Sequence, residues 1–416
     1  MMDKRPAPPL DKSADIVAFK RSLAPRKAAL DKAFAEITDH VKREVDAIRA
    51  KAAAGQPVIP EIAYESIRAG SVSQATKDAV RRTGCAIVRG VFPRTQASGW
   101  FDEVGEYLDR NGYETRWAER GHLDNYFEKV KTKSGKQQMF NVYWSKPQVM
   151  ARQDPRLAET RAFLDRLWTN YEGVFNPDLQ LSYADRVRRR EPGDTTLEIA
   201  PHMDAGTIER WIDPGYQRVY ERVFQGDWQG YDPFDARHRL ETYEYPSPAV
   251  ASVFRTFQGW TALTRQGPKD GSLELVPIAR GIIYVLLRAI QDDVDETDLC
   301  GAKVGRALHI ADSWHSLLVG GKVPIPEVAP GDAVFWHSDI CHAVGRINDG
   351  PDYASVVYIG ACPDCTKNRA YIDKQRPAFV EGRSPPDFAA MDFETDFKGR
   401  ATVDDLTPLG RAQMGF

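Results

Sequence analysis

Cysteine is scarce in this chain: five among 416 residues, at Cys85, Cys300, Cys341, Cys362 and Cys365. So few, odd in number and scattered, they exclude a disulfide framework and make a reducing, cytoplasmic setting the expectation. Long hydrophobic runs are missing too. The longest, Gly281–Leu287, is cut by Arg288 and is far too short to span a bilayer. The opening MMDKRPAPPLDKSADIV has no apolar stretch of the kind a secretory signal needs. Neither sign of charge dominates. Lys and Arg number 56 against 59 Asp and Glu, a net charge of −3, so neither nucleic acid nor an anionic membrane is expected as a partner. No internal repeat is visible. What is present is a 42% hydrophobic composition, ample for a large core. The expectation is a soluble globular protein.

Residues 1–12 are Pro-rich and charged and are expected to be loose. Leu30, Phe34, Ile37, Val41, Val45 and Ile48 recur at helical spacing, which predicts an amphipathic helix. Pro25 separates it from a shorter helix over Ala14–Leu23, and AAAGQPVIP stops it. Its apolar face packs on the core or on a second subunit, which leaves a homodimer open. Cys85–Phe92 reads as a strand and Pro93–Gly112 as a helix. Between 113 and 150 an aromatic group (Tyr113, Trp117, Tyr126, Phe127, Phe140, Tyr143, Trp144) is expected in the core rather than in a pocket wall. Residues 156–173 read as a further helix. Leu179–His202 reads as strand, Gly-Asp turn, strand. Residues 214–243 break the alternation and look like an insertion of the kind that becomes a lid. Ser252–Thr264, Leu273–Ile278, the run ending at His337 and Ala354–Pro363 are further strands. The fold class is α+β: N-terminal helices, then about eight short strands that suit a jelly roll or barrel around a central cavity. The expected organisation is a helical segment 1–60, a core domain 61–376 with an insertion at 212–248, and a C-terminal extension 377–416.

The chemistry centres on PHMDAGTIERW, Pro201–Trp211. On an extended strand, residues two apart face the same way, so His202 and Asp204 can present an imidazole and a carboxylate to one point. A histidine from a distant strand completes a two-histidine, one-carboxylate set. GDAVFWHSDICHAVGR, Gly331–Arg346, offers two, His337 and His342. Such a triad leaves half of an octahedral metal open and marks non-heme Fe(II) oxygenases. His309 and His315 have no spaced partner and are expected to pack. Cys362 and Cys365 form a C-x-x-C without a second pair or a redox-fold context, so structural thiols are expected. The run Arg186–Arg190 (RVRRR) reads as a solvated strand face.

The spacing of strand, His-x-Asp and distal Gly-Asp…His…His resembles the Fe(II)/2-oxoglutarate-dependent oxygenases with a double-stranded β-helix core, in particular their phytanoyl-CoA hydroxylase branch. GCAIVRGVFP, RVRRREPGDTT, HMDAGTIERW, VFRTFQGWTAL, KNRAY and GRSPPDF are similar to the YbiU-like family, and that resemblance spans nearly the whole chain. The resemblance implies a metal site of His202, Asp204 and His342. It assigns His342, not His337, as the distal ligand and leaves His337 a supporting role. It also implies Fe(II), 2-oxoglutarate and O2 as cofactors, with succinate and CO2 released as an unactivated C–H bond of a small polar metabolite, such as an amino acid, is hydroxylated, desaturated or cyclised. In that branch an arginine on the strand after the distal histidine holds the far carboxylate of the oxo acid; Tyr353 stands there instead. Arg346, Arg255 and Arg210, in that order, are the candidates for its task. Gln258 and Trp260 share a strand face that lines the pocket if it points inward. The missing arginine sustains an alternative: a non-redox, cupin-like metal-dependent isomerase or a metal-retaining small-molecule binding protein.

Overall fold

The computed structural model describes residues 11–120, 134–195, 199–247 and 250–416. Residues 1–10, most of the stretch expected to be loose, lie outside these, as do Tyr126 and Phe127. The helical spacing at the start gives helices Ser13–Ser22 and Lys27–Ala53, with Pro25 in the turn between them. Leu30, Ile37, Val41, Val45 and Ile48 are buried on one stripe of the longer helix. That stripe packs on a helix, Gly281–Arg288, formed by the apolar run that is too short for a membrane. Among the described residues no helix is long and apolar enough to cross one.

The strands are, in chain order, β1 (Glu61–Ala63), β2 (Cys85–Arg89), β3 (Met139–Phe140), β4 (Asn176–Gln180), β5 (Val187–Arg190), β6 (Ile199–Met203) and β7 (Phe257–Ala262). Then come β8 (Leu273–Leu275), β9 (Leu308–His309), β10 (Val323–Pro324), β11 (Ala333–His337), β12 (His342–Val344), β13 (Ala354–Tyr358) and β14 (Pro363–Asp364). Seven form one sheet in the order β1-β2-β11-β7-β13-β5-β3, and five a second, β10-β8-β12-β6-β9. The class is mixed α+β, with several sheets. Four antiparallel pairs nest: β5 with β13, β6 with β12, β7 with β11, β8 with β10. Trp260, Trp336 and Val356 of the larger sheet pack with Leu273 and Leu275 of the smaller.

Three expectations change. The insertion is no lid: Tyr216, Tyr220, Val223, Phe224, Trp228 and Tyr231 are buried in the same cluster as the N-terminal helices, and none of residues 212–247 lines the cavity between the sheets. The Ser252–Thr264 strand shortens to Phe257–Ala262, so Arg255 lies in the loop ahead of it. The RVRRR face is not solvated. β5 lies between β13 and β3, and Arg186, Arg188 and Arg190 are all buried. Arg189, on the other face, lies 4.0 Å over the Phe101 ring. Period-two alternation says which side chains share a face, not whether water reaches it.

Candidate metal centre

β11 ends the GDAVFWH run in the larger sheet at His337; a tight turn, closed by Ile340 N–H donating to His337 O at 2.9 Å, carries the chain into the smaller sheet at His342. That crossing separates the two histidines. His342 enters β12 directly opposite His202 on β6, with ring centroids 4.2 Å apart. His337 stays among Trp168, Phe234 and Phe257.

One nitrogen or oxygen from each of His202, Asp204 and His342 lies within 4.8 Å of the others. His202 Nε2 is 3.3 Å from Asp204 Oδ1, and His342 Nε2 is 3.5 Å from Asp204 Oδ2. Each imidazole is oriented from behind. His202 Nδ1 meets Ala200 O at 2.8 Å and His342 Nδ1 meets Ile340 O at 3.0 Å. A carbonyl only accepts, so each Nδ1 carries a proton and each Nε2 faces Asp204. Burial opposes charge on Asp204, but the two imidazoles override it and hold the carboxyl well below its ordinary range. Burial, then the neighbouring His202, pushes His342 down. Burial opposes charge on His202, but its hydrogen bond to Asp204 outweighs this and raises its pKa, and a metal ion would take the place of that Nε2 proton. The donor set therefore fits a divalent ion of the Fe(II) type.

The triad lines a cavity of about 150 Å³ between the two sheets. Gln258 and Trp260 of β7, Trp336 of β11 and Tyr358 of β13 form the facing wall. Of the three candidate arginines, only Arg255 lines it. Arg346 is exposed: β12 ends at Val344, and the chain turns away at Gly345, so counting by two from His342 no longer applies. Arg210 is buried behind the centre, donating to Asp339 Oδ1 at 2.6 Å and to Tyr220. Glu209 beside it accepts from the Thr207 and Tyr245 N–H groups at 2.8 and 2.9 Å and holds the local backbone.

Two arginines of the run that the sequence placed on a solvated face, Arg186 and Arg188, also line the cavity. Arg188 lines the cavity from β5, opposite Val356 on β13, the strand after the distal histidine. Its Nη2 donates to Gly271 O at 2.8 Å and its Nε to Gln138 Oε1 at 3.4 Å, and among the described residues it has no carboxylate partner. Burial pushes its pKa down to about 10, with Tyr358 pulling the other way. Gly271 is held at φ +56°, and a Cβ there would stand 1.9 Å from Arg190 Nη1, so glycine is required where the turn approaches the paired arginines. The available signal was the i, i+2 relation of Arg186, Arg188 and Arg190 on a strand leading into the His-x-Asp.

His337 is fully buried, and its Nδ1 accepts from Asp339 N–H at 3.0 Å. Burial, with Arg239 and Arg210 nearby, pushes its pKa down to about 4 against the pull of Asp339. The unfolded chain takes up this proton near pH 6.5 and the folded chain only near 4, so stability is full above 6.5 and is lost as pH falls toward 4. His337→Asn, which keeps an acceptor and cannot titrate, is expected to shrink the stability difference between pH 7 and pH 4.5 by about 2–3 kcal/mol. Urea unfolding at the two pH values checks this; an unchanged difference would show that His337 titrates normally. His315 is likewise buried, pushed down to about 4, whereas His309 is exposed. Cys362 and Cys365 are buried free thiols.

A sequence profile of the Gig2-like family matches residues 9–416. The uncharacterised protein YbiU of Escherichia coli K12 is 40% identical over 412 residues, 98% of this chain and 97% of that one. A solved structure from Salmonella typhimurium LT2, named as a candidate oxidoreductase, is 39% identical, matches over 99% of each chain and superposes with a TM-score of 0.92. The structure of GlcNAc Inducible Gene 2 from Candida albicans is 25% identical over 98% of this chain and 90% of that one, with a TM-score of 0.81. Each likeness runs the length of the chain.

Proposed function

The chain thus belongs to the Gig2-like family, and from that premise and the centre just described we propose that it is a non-heme Fe(II)/2-oxoglutarate-dependent oxygenase of a small polar metabolite. The observation that carries the reading is the convergence of His202, Asp204 and His342 on one point of a cavity wall, with both Nε2 atoms turned inward. The strand pairing supports it. Numbered in chain order, β5, β6, β7, β8, β10, β11, β12 and β13 pair first with eighth, second with seventh, third with sixth and fourth with fifth. That order supports reading the core as a long hairpin wound on itself, a double-stranded β-helix.

When bound, Fe(II) with 2-oxoglutarate and O2 supplies the oxidising power that no side chain here has, converting the oxo acid to succinate and CO2 as a C–H bond is oxidised. The chain does the rest. His202, Asp204 and His342 would hold the ion. Arg188, with the Tyr358 hydroxyl group nearby on the same wall, takes the far carboxylate of the oxo acid, so the arginine that β13 lacks is supplied from the strand paired with it. Trp260 and Trp336 cover the wall between these sites and keep water from it.

The test is anaerobic. Fe(II) added to metal-free protein, followed by 2-oxoglutarate, gives the weak visible charge-transfer band of a chelated oxo acid. Arg188→Gln needs at least about tenfold more oxo acid for the same band, the loss expected for a charged hydrogen bond of about 1.5–3 kcal/mol. Arg188→Lys recovers part of it. No band in the wild type despite tight metal binding sinks the reading and moves the chain to the non-redox, metal-dependent class.

A further inference from the structure

One arginine of the cavity has no bonded anion among the described residues. Arg255 lines the mouth of the cavity in the loop ahead of β7, and among the described residues its guanidinium makes no hydrogen bond and no ion pair. Its guanidinium lies over the face of Tyr183, 5.7 Å from the ring centroid. The acids around it are engaged elsewhere. Asp185 accepts from Arg186 N–H at 2.7 Å and from Arg186 Nε at 3.4 Å. Asp387 Oδ1 accepts from Ser252 Oγ at 2.7 Å, and Oδ2 from Ser252 N–H at 2.8 Å and Tyr183 OH at 3.2 Å. Cys362, near Arg255, is a thiol pushed up to about 12 by burial and brings no charge. Asp204 does act on Arg255 through space, but it is a ligand in the proposed centre.

The charges can be balanced. A divalent ion with one carboxylate, and a dianionic oxo acid with Arg188, sum to neutral. Asp185 stands against Arg186, and Asp387, held by neutral donors, acts on Arg255 through space without an ion pair among the described residues, so the hydrogen-bonding edge of the Arg255 guanidinium is left to an incoming anion. Beside it stand two aromatic rings, Tyr183 and Phe388, 5.9 Å apart. Phe388 comes from the C-terminal extension, and the neighbouring Asp387 fastens that segment to Ser252 and Tyr183 at the mouth. A guanidinium beside apolar rings suits a molecule with a carboxylate at one end and a carbon body at the other.

We propose that Arg255 anchors the carboxylate of the substrate, so that the substrate is a small carboxylic acid whose body lies between Arg255 and the metal, against Tyr183 and Phe388. The proposal deepens the oxygenase reading and rests on it for calling this ligand the substrate. It also gives the C-terminal extension a part in specificity through Phe388.

Calorimetric titration tests it with propionate and phenylacetate, each against its own amide. The full-length protein is titrated twice, metal-free and anaerobically loaded with Fe(II) and 2-oxoglutarate. In the wild type the acids bind at least about tenfold more tightly than the amides. Arg255→Gln removes that preference while the oxo acid still binds within about twofold of its wild-type strength. Arg188→Gln does the reverse, and Arg255→Lys, which keeps the charge, keeps part of the preference. Acids and amides binding alike in the wild type would overturn the proposal. So would a preference that survives Arg255→Gln and disappears in Arg188→Gln. The two readings fail separately. An oxo-acid band without a carboxylate preference leaves the oxygenase and removes the Arg255 site. A preference that depends on Arg255 in protein that never forms the band leaves the anion site and removes the oxygenase.

Discussion

Replacing Asp339 by alanine is expected to lower the stability of the protein by about 3–5 kcal/mol. Asp339 is almost fully buried, in the turn between β11 and β12. Its Oδ1 accepts from Arg210 Nη1 at 2.6 Å and Tyr220 OH at 3.1 Å, and its Oδ2 from Arg239 Nη1 at 3.2 Å. Burial alone would raise its pKa, but the two guanidinium groups hold it well below the ordinary carboxylate range. Truncation strands two buried cations, and that desolvation cost exceeds the value of the lost contacts. The folded-state pKa is depressed, so this contribution is present above the ordinary carboxylate range and is lost only at strongly acid pH. Urea unfolding reads the loss as a lower midpoint at unchanged slope. Exchanging Asp339, Arg210 and Arg239 together for leucine, methionine and methionine is expected to recover most of it. If the triple exchange is no better than Asp339→Ala, unpaired charge is not the cause. The network also joins the turn before His342 to the helix that follows Asp204, so metal affinity should fall with Asp339→Ala by about 10–100-fold, as when the outer partners of metal ligands are lost.

Asp204→Asn and His342→Ala are each expected to weaken Fe(II) binding by more than about 100-fold, beyond what loss of an outer partner does. The carboxylate supplies the only negative charge among the three donors, and His342 is one of two imidazoles facing it. His337→Asn is the control. His337 lies on the far side of the turn, packed against Trp168, and its removal should leave affinity within about threefold. Competitive titration against a chromophoric chelator under argon measures all three. If His337→Asn weakens binding as much as His342→Ala does, the distal ligand has been assigned to the wrong histidine.

The sequence carried the elements whose periodicity is local. The Leu30–Ile48 stripe, the apolar run at Cys85, β7, β11, β13 and the His-x-Asp were all legible, because each declares itself within a few residues. What depended on the facing element was not. RVRRR looked wet because a strand pattern does not show what covers it; here β3, β13 and Phe101 do. Arg346 looked well placed because counting by two assumes that the strand goes on, and β12 has only three residues. Arg210 was close to the ligands in sequence but was drawn inward by Asp339, a partner 129 residues away. Nothing local tells that Asp387 and Phe388 return to a cavity whose floor is laid down at His202.

The strand order also sets when the centre can exist during synthesis. β2 sits between β1 and β11, and β6 takes His202 to β12, so the early strands leave the ribosome without their neighbours. The wall beside the mouth is completed later still: Ser182 N–H donates to Gln413 O at 2.9 Å, and Ala184 N–H to Gln375 Oε1 at 2.9 Å. That wall is therefore finished only when the Pro408–Met414 helix has been made. A chain cut short before the Pro408–Met414 helix leaves that cavity wall unsupported.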